Sequence, residues 1–354
     1  MSIPSDLIAF VVALLASLIL TVPIRHLAVR YGMVDRPNAR KVHLKPIPLL
    51  GGIAIYLAFV LAILLTHRGV PERQILGILA GATLVAVTGF LDDGGLLHHQ
   101  LKLFVGMPVA ALFLVVSGIR ADFFSQFIRG TAGSILDVGL TIFWVVGITA
   151  AFSILDHMDG LCAGIAAWAA AFFTIAATLN GQTLVRSLGA AVLGAALGFL
   201  RWNFNPAKIF MGDGGAMFLG FLMATLGLKI RPQGAPFPVS WLIPILILGV
   251  PIFDTTLISI SRARRGLLPF ASPGKDHTAH RLSNLGLGHR GAVIALYCLA
   301  AVYGFAALSV PYVTPAKAYI LAVFLVLAGL VGVYLLESAP FERQVKLEKS
   351  SSPS

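Results

Sequence analysis

The chain has 354 residues, of which 58% are hydrophobic and only 12% charged. Long apolar runs recur from end to end, and about 20 apolar residues match the roughly 30 Å hydrocarbon core of a bilayer, so a soluble globular class is excluded. The net charge of +11 sits mostly in loops flanking these runs, where topology and anionic head groups of membrane lipids account for it, and no nucleic-acid partner is expected.

In chain order the apolar runs fall at approximately 4–24, 49–66, 74–91, 101–117, 136–155, 161–180, 186–200, 215–230, 240–260, 291–313 and 316–336. The expected fold is all-α, a polytopic membrane protein of about eleven transmembrane helices. Pro23, Pro108 and Pro251 need only kink their helices. The first run follows a flank, MSIPSD, without Lys or Arg, and Arg25 and Arg30 come after it. That is the order of a retained, N-out signal anchor.

Orientation follows from the basic residues. Segments 24–48, 92–102, 155–161, 201–214, 261–290 and the C-terminal tail hold 18 Lys and Arg, and the alternate set holds 8. By the positive-inside rule the first set is cytoplasmic, which puts the N-terminus outside and the C-terminus inside. One transmembrane catalytic domain, 1–340, is expected, with a polar, disordered cytoplasmic tail at 341–354. The two cysteines, Cys162 and Cys298, both lie in apolar runs and make no disulfide framework.

Against this apolar background the carboxylates stand out, because charge at membrane depth is costly unless paired, hydrated or bound to a cation. The first polar segment, DRPNARKVHLKPIPLLGG at 35–52, carries Lys41, His43 and Lys45 among three prolines. Prolines make it a fixed, non-helical stretch that could shape a binding surface. Asp92 and Asp93 close the third run before Gly94 and Gly95. Adjacent carboxylates raise one pKa or recruit a cation, and a hard ion such as Mg2+ suits oxygen ligands together with substrate phosphates; a solvated loop cap is the plainer reading.

Asp156 and Asp159 in LDHMDGL are spaced i, i+3, which suits one helical face or the start of the sixth helix. In RWNFNPAKIFMGDGG a short polar link carries Asn203, Asn205, Lys208 and Asp213. Asp213, among glycines just before a helix, could hold a metal bridging phosphate oxygens or simply cap that helix. The loop 261–290 mixes Arg262, Arg264, Arg265, Lys275, His277, His280 and Arg281. Arg and Lys could clamp a pyrophosphate and His could move protons, although positive-inside topology also explains the basic run. His277 and His280 are spaced like metal ligands, but a zinc site needs more nitrogen or sulfur donors than the neighbouring sequence offers.

Taken together, DRPNARKVHLKPIPLLGG, GFLDDGGLLHHQLKL, LDHMDGLCAG, NFNPAKIFMGDGGAMFLG, PIFDTT and DHTAHRL give a chain that resembles the polyprenyl-phosphate N-acetylhexosamine-1-phosphate transferases nearly end to end. The resemblance implies transfer of a sugar-1-phosphate from a UDP-N-acetylhexosamine to undecaprenyl phosphate with release of UMP. It also implies Mg2+, or Mn2+ in its place, as cofactor, a cytoplasmic catalytic face in a bacterial inner membrane, and room for a homodimer. It assigns Asp92, Asp93 and Asp159 to catalysis and Asp213 to the metal. Lys41, His43, Lys102, Asp156, Asn203, His277, His280 and Arg281 are assigned to substrate.

The chain departs from the family pattern where relatives often read NAFN, since Ala150 and Ser153 replace two amides, and where HxHHR lacks one histidine at Ala279. Leu49 stands where relatives often carry Arg. The N-acetylglucosamine type is expected, because DHTAHRL lacks the consecutive histidines usual in phospho-N-acetylmuramoyl-pentapeptide transferase. Other classes weighed are a membrane transporter, which needs ionisable groups near the midplane, and an inactive scaffold, suggested by Ala150 and Ser153.

Overall fold

The computed structural model describes residues 4–35, 46–66, 72–97, 99–232, 237, 239–267, 274 and 276–339. Each apolar run is helical. The helices are α1 (Ser5–Arg30), α2 (Gly51–Thr66), α3 (Glu72–Asp93), α4 (His99–Leu101), α5 (Met107–Val116), α6 (Thr131–Leu155), α7 (Leu161–Leu179), α8 (Thr183–Asn203), α9 (Gly212–Lys229), α10 (Leu242–Ile247), α11 (Gly249–Arg264), α12 (Thr278–Leu282), α13 (Gly288–Ser309) and α14 (Pro315–Glu337). A two-stranded antiparallel ribbon, β1 (Val34–Asp35) with β2 (Ile47–Pro48), flanks the segment that contains Lys41 and His43. Those two residues lie outside the described ones.

The chain is an all-α membrane protein. Among the described residues seven helices are long and apolar enough to cross a bilayer, or eight if the pair α10 and α11 is one broken span. The apolar segments 51–66 and 102–116 are shorter. The run 240–260, expected as one kinked helix, is two helices bent by 77°. Pro251 cannot donate to the carbonyl four residues before it, so one rung of the ladder is missing beside the break. Pro23, in contrast, lies inside an unbroken α1. Before Pro108 the helix widens into a π turn over Lys102–Gly106.

α9 organises the bundle. Every residue from Gly214 to Leu228 is buried, as expected of a helix that is apolar all round. It packs against α2, α3, α6, α7 and α8. α14 lies at the opposite extreme, with only Ala318 and Val333 buried and Ile320, Phe324, Leu327 and Val331 exposed, a lipid-facing composition. Where α3 crosses the start of α9, Gly89 meets the backbone of Gly214, and a Cβ at either position would collide with the other helix. Small residues at such a crossing let backbones touch. The last turn of α3 is thereby held against the first turn of α9.

Candidate active site

That crossing has an electrostatic consequence. The first amides of a helix lack intrahelical acceptors and carry the positive end of the dipole. α9 has no side-chain cap of its own. Asp93 supplies one from the neighbouring helix, its Oδ1 accepting the Asp213 N–H at 2.9 Å and its Oδ2 the Gly214 N–H at 3.2 Å. Asp213 is therefore inside the first turn, not at its cap, and its carboxylate faces away into the site.

Three side chains converge on Asp213. Ser153, near the end of α6, donates its hydroxyl to Oδ1 at 2.7 Å. Lys102, in the π turn, donates to Oδ2 and also to Asp92 Oδ2, the latter at 2.6 Å. Asp92 and Asp93, neighbours in sequence, thus have different tasks: Asp92 faces the ammonium and Asp93 holds a helix terminus.

Asp156 and Asp159 do not share a helical face. Both lie in the turn between α6 and α7, where Asp156 ends α6 and Gly160, at φ +77°, opens α7. The Asp159 carboxylate accepts from Asn205 Nδ2 at 3.0 Å and from the Ala207 N–H at 2.9 Å. Asn203 stitches the same turn to the α8–α9 link, accepting from the Gly160 N–H at 3.0 Å and donating to the Ile209 carbonyl at 2.9 Å. Asp156 is partly buried and has no hydrogen-bond partner among the described residues. Burial, then the charges of Asp213, Asp93 and Asp159, push its carboxyl well above the ordinary range.

The β ribbon reaches this site through main-chain bonds. The Phe210 N–H donates to the Pro48 carbonyl at 2.8 Å, and the Gly51 and Gly52 N–H groups donate to Phe210 and Met211 at 2.9 Å each. Pro48, Gly51 and Gly52 are thus tied to the residues just before Asp213.

One stretch of the expected basic loop is interior, while 263–267 and 284–288 are exposed. Asp276, His277, Thr278, Ala279, His280 and Arg281 are buried. Arg281 is 0% exposed. Its guanidinium donates to the Asp276 carbonyl at 2.8 Å, the Leu336 carbonyl at 2.6 Å and Ser261 Oγ at 2.8 Å, and it meets Glu337 at 3.3 Å. Arg262 forks onto Asp276 at 2.9 and 3.1 Å, and Arg265 joins it at 2.5 Å. Burial alone would raise the Asp276 carboxyl, but Arg262 and Arg265 hold it down to about 2. His277 Nδ1 lies 3.1 Å from Asp254 Oδ2, and the rings of His277 and His280 both pack on His157.

One end of the bundle therefore gathers Asp92, Asp93, Lys102, Ser153, Asp156, Asp159, Asn203 and Asp213. Arg281 stands apart, inside a packed hub with α11 and the end of α14. Sequence reading missed Ser153, taken as a defect in an amide pattern, whereas a hydroxyl at that position serves the Asp213 carboxylate. It also missed Arg290, which holds the Asn205 carbonyl at 2.8 Å and carried no signal beyond its charge.

Comparison with known proteins finds relatives over most of the chain. The family model of Glycosyl transferase family 4 matches residues 75–231, the stretch from α3 to the end of α9. A relative named probable undecaprenyl-phosphate N-acetylglucosaminyl 1-phosphate transferase, from Bacillus subtilis (strain 168), is 38% identical over 85% of this chain and 84% of its own length. Decaprenyl-phosphate N-acetylglucosaminephosphotransferase of Mycolicibacterium smegmatis is 32% identical over 86% of this chain and 82% of its own. Undecaprenyl-phosphate alpha-N-acetylglucosaminyl 1-phosphate transferase of Escherichia coli (strain K12) is 27% identical over 89% and 86%. With the family's signature on the helices that build the site and similarity extending over most of the chain, this protein belongs to glycosyl transferase family 4.

Proposed function

We propose that the chain transfers N-acetylglucosamine-1-phosphate from its UDP-sugar to undecaprenyl phosphate and releases UMP, as the first membrane step of a cell-envelope polysaccharide. The observation that carries this reading is the gathering of five carboxylates, Asp92, Asp93, Asp156, Asp159 and Asp213, at one end of the helices, where among the described residues the ammonium of Lys102 pairs with Asp92 and Asp213 alone. Such an excess of hard oxygen donors calls for a cation, and it fits Mg2+, or Mn2+ in its place, better than a softer ion. Asp213 would hold it, with Asp156 facing the same cluster. The ion would neutralise phosphate charge as the reaction proceeds.

The step forms a bond from an acceptor phosphate oxygen to the phosphorus of the sugar phosphate and breaks that phosphorus's bond to UMP. Two anions must approach, so charge neutralisation and alignment dominate catalysis. Lys102 supplies positive charge beside Asp92 and Asp213. Asp93 and Ser153 fix Asp213. Asp159 and Asn203 fix the α6–α7 turn, and Arg281 positions the α12 segment from within the fold. Lys41, His43, His277 and His280 are assigned to the substrates by the family resemblance.

The same reading has eleven passes, an N-terminus outside, a C-terminus and active face in the cytoplasm of a bacterium, and one catalytic domain over 1–340. What supports it is the positive-inside count together with the gathering of the site at one end of the helices. The relatives' names favour an N-acetylglucosamine donor over a muramoyl pentapeptide, and the bond from Ser153 to Asp213 supports a working site over the inactive scaffold that Ala150 and Ser153 suggested. Purified protein with Mg2+, undecaprenyl phosphate and a panel of UDP-sugars should release UMP with UDP-N-acetylglucosamine. Asp213→Ala should abolish that release, and silence with every donor would overturn the proposal.

A further inference from the structure

A second cluster lies beside the carboxylates and has a different chemistry. His157 comes from the α6–α7 turn, Asp254 from α11 and His277 from the N-cap of α12. One donor atom from each lies within 4.8 Å of the other two. Sequence spacing offered only His277 and His280, too few donors for a zinc-type site; folding adds an imidazole from 120 positions earlier and a carboxylate from an intervening helix.

The carboxylate is fixed in place. Asp254 is 2% exposed, and while its Oδ2 faces His277 Nδ1, its Oδ1 accepts the Thr278 N–H at 2.7 Å. His157 is the anomaly. Its ring lies 3.9 Å from that of His277 and 4.8 Å from that of His280, and both of its nitrogens are shielded from solvent without a hydrogen-bond partner. Buried polar atoms are nearly always satisfied, and leaving two unsatisfied on one ring is costly. An imidazole nitrogen without a hydrogen-bond partner has a lone pair available for a metal.

We propose that His157, Asp254 and His277 form a binding site for a divalent transition-metal ion of the zinc class, separate from the all-oxygen site at Asp213. Imidazole nitrogen with one carboxylate suits Zn2+ or Co2+, whereas Mg2+ takes oxygen ligands in an octahedron. The bound ion satisfies one of the two His157 nitrogens, balances the Asp254 charge and pins the turn carrying Asp156 and Asp159 to α11 and α12. The proposal gives His277 to the metal in place of the substrate role that the family resemblance assigns it, does not otherwise rest on the sugar-phosphate reading, and has a test that involves no turnover.

Full-length protein, purified in detergent with any affinity tag removed and stripped with a chelator, is titrated with Co2+. One equivalent should bind with the intense visible bands of tetrahedral or five-coordinate Co2+, resist excess Mg2+ and be displaced by Zn2+. His157→Gln should lower the affinity by at least about 100-fold, the upper range for even an outer-shell partner, and Asp254→Asn should do likewise. Asp213→Asn should leave the bands in place. Because Asp254 is deeply packed, the His157→Gln variant decides the matter, with its fold checked by helical circular dichroism. Absence of the bands in folded wild type, their persistence in His157→Gln, or their loss only in Asp213→Asn would each overturn the proposal.

Discussion

Two charged regions at the same end of this molecule are built on opposite principles. In the hub around Asp276, the guanidinium groups of Arg262, Arg265 and Arg281 are spent on Asp276, Glu337, Ser261 and main-chain carbonyls. In the cluster around Asp213, one ammonium faces several carboxylates, and Asp156 has no partner among the described residues. A charged region that is closed on itself stabilises; one left with an excess of a single sign is open to something from outside. Positive charge in a loop is therefore a poor guide to phosphate binding here, and incompletely neutralised negative charge is a better guide to cation binding.

The contrast can be broken by mutation, starting with the largest effect. Asp276→Asn leaves Arg262 buried without its counter-charge, which should cost about 3–5 kcal/mol in unfolding free energy. Because Arg262 and Arg265 depress the Asp276 pKa to about 2, this stabilisation is fully present above the ordinary carboxylate pKa of roughly 4 and drains away as pH falls through about 2. A melting curve that does not respond to the substitution would mean that the hub is ornamental. On the other side, Lys102→Met should cut UMP release by about 10²–10³-fold, the scale for loss of a preorganised charged donor. A much greater loss of stability than of turnover would make the acidic cluster a second structural hub.

Smaller effects sharpen the division. A hydrogen bond to a charged group is worth about 1.5–3 kcal/mol, so Ser153→Ala should slow turnover by about 10- to 150-fold, read from initial rates at saturating donor. Asn at that position, which also donates, should recover most of the rate. Asp156→Asn carries the smallest effect and the most distinctive sign. A carboxyl whose folded pKa is raised stabilises the fold below its ordinary pKa, and that contribution is lost as pH rises through the folded value. Removing the ionisable group should therefore raise the melting temperature of metal-free protein at neutral pH while lowering activity. Equal melting temperatures would show that Asp156 is already neutralised within the fold.

Much of this was legible in the chain itself, for physical reasons. Asp92, Asp93 and Asp213 interrupt or border apolar runs, where only a purpose tolerates charge, and they do meet at helix ends. The partners of those residues were not legible. Asp93 caps a helix that begins 119 residues later, a relation set by the crossing of Gly89 and Gly214. Arg281 reads as a phosphate ligand until the end of α14 is seen to take two of its bonds. His157 carries no pattern at all, since a lone histidine between two aspartates acquires meaning only when α11 and α12 are packed against it.

The shared helix terminus of Asp93 and Asp213 bears on how genetic tests of this site are to be interpreted. The two side chains form one epistatic unit: Asp93 sets the pose of the residue whose amide it accepts, so removing it displaces Asp213 without touching it. An inactive Asp93 variant is no proof of contact with substrate. The double variant should lose hardly more than the worse of the two singles, because positions in direct contact do not add.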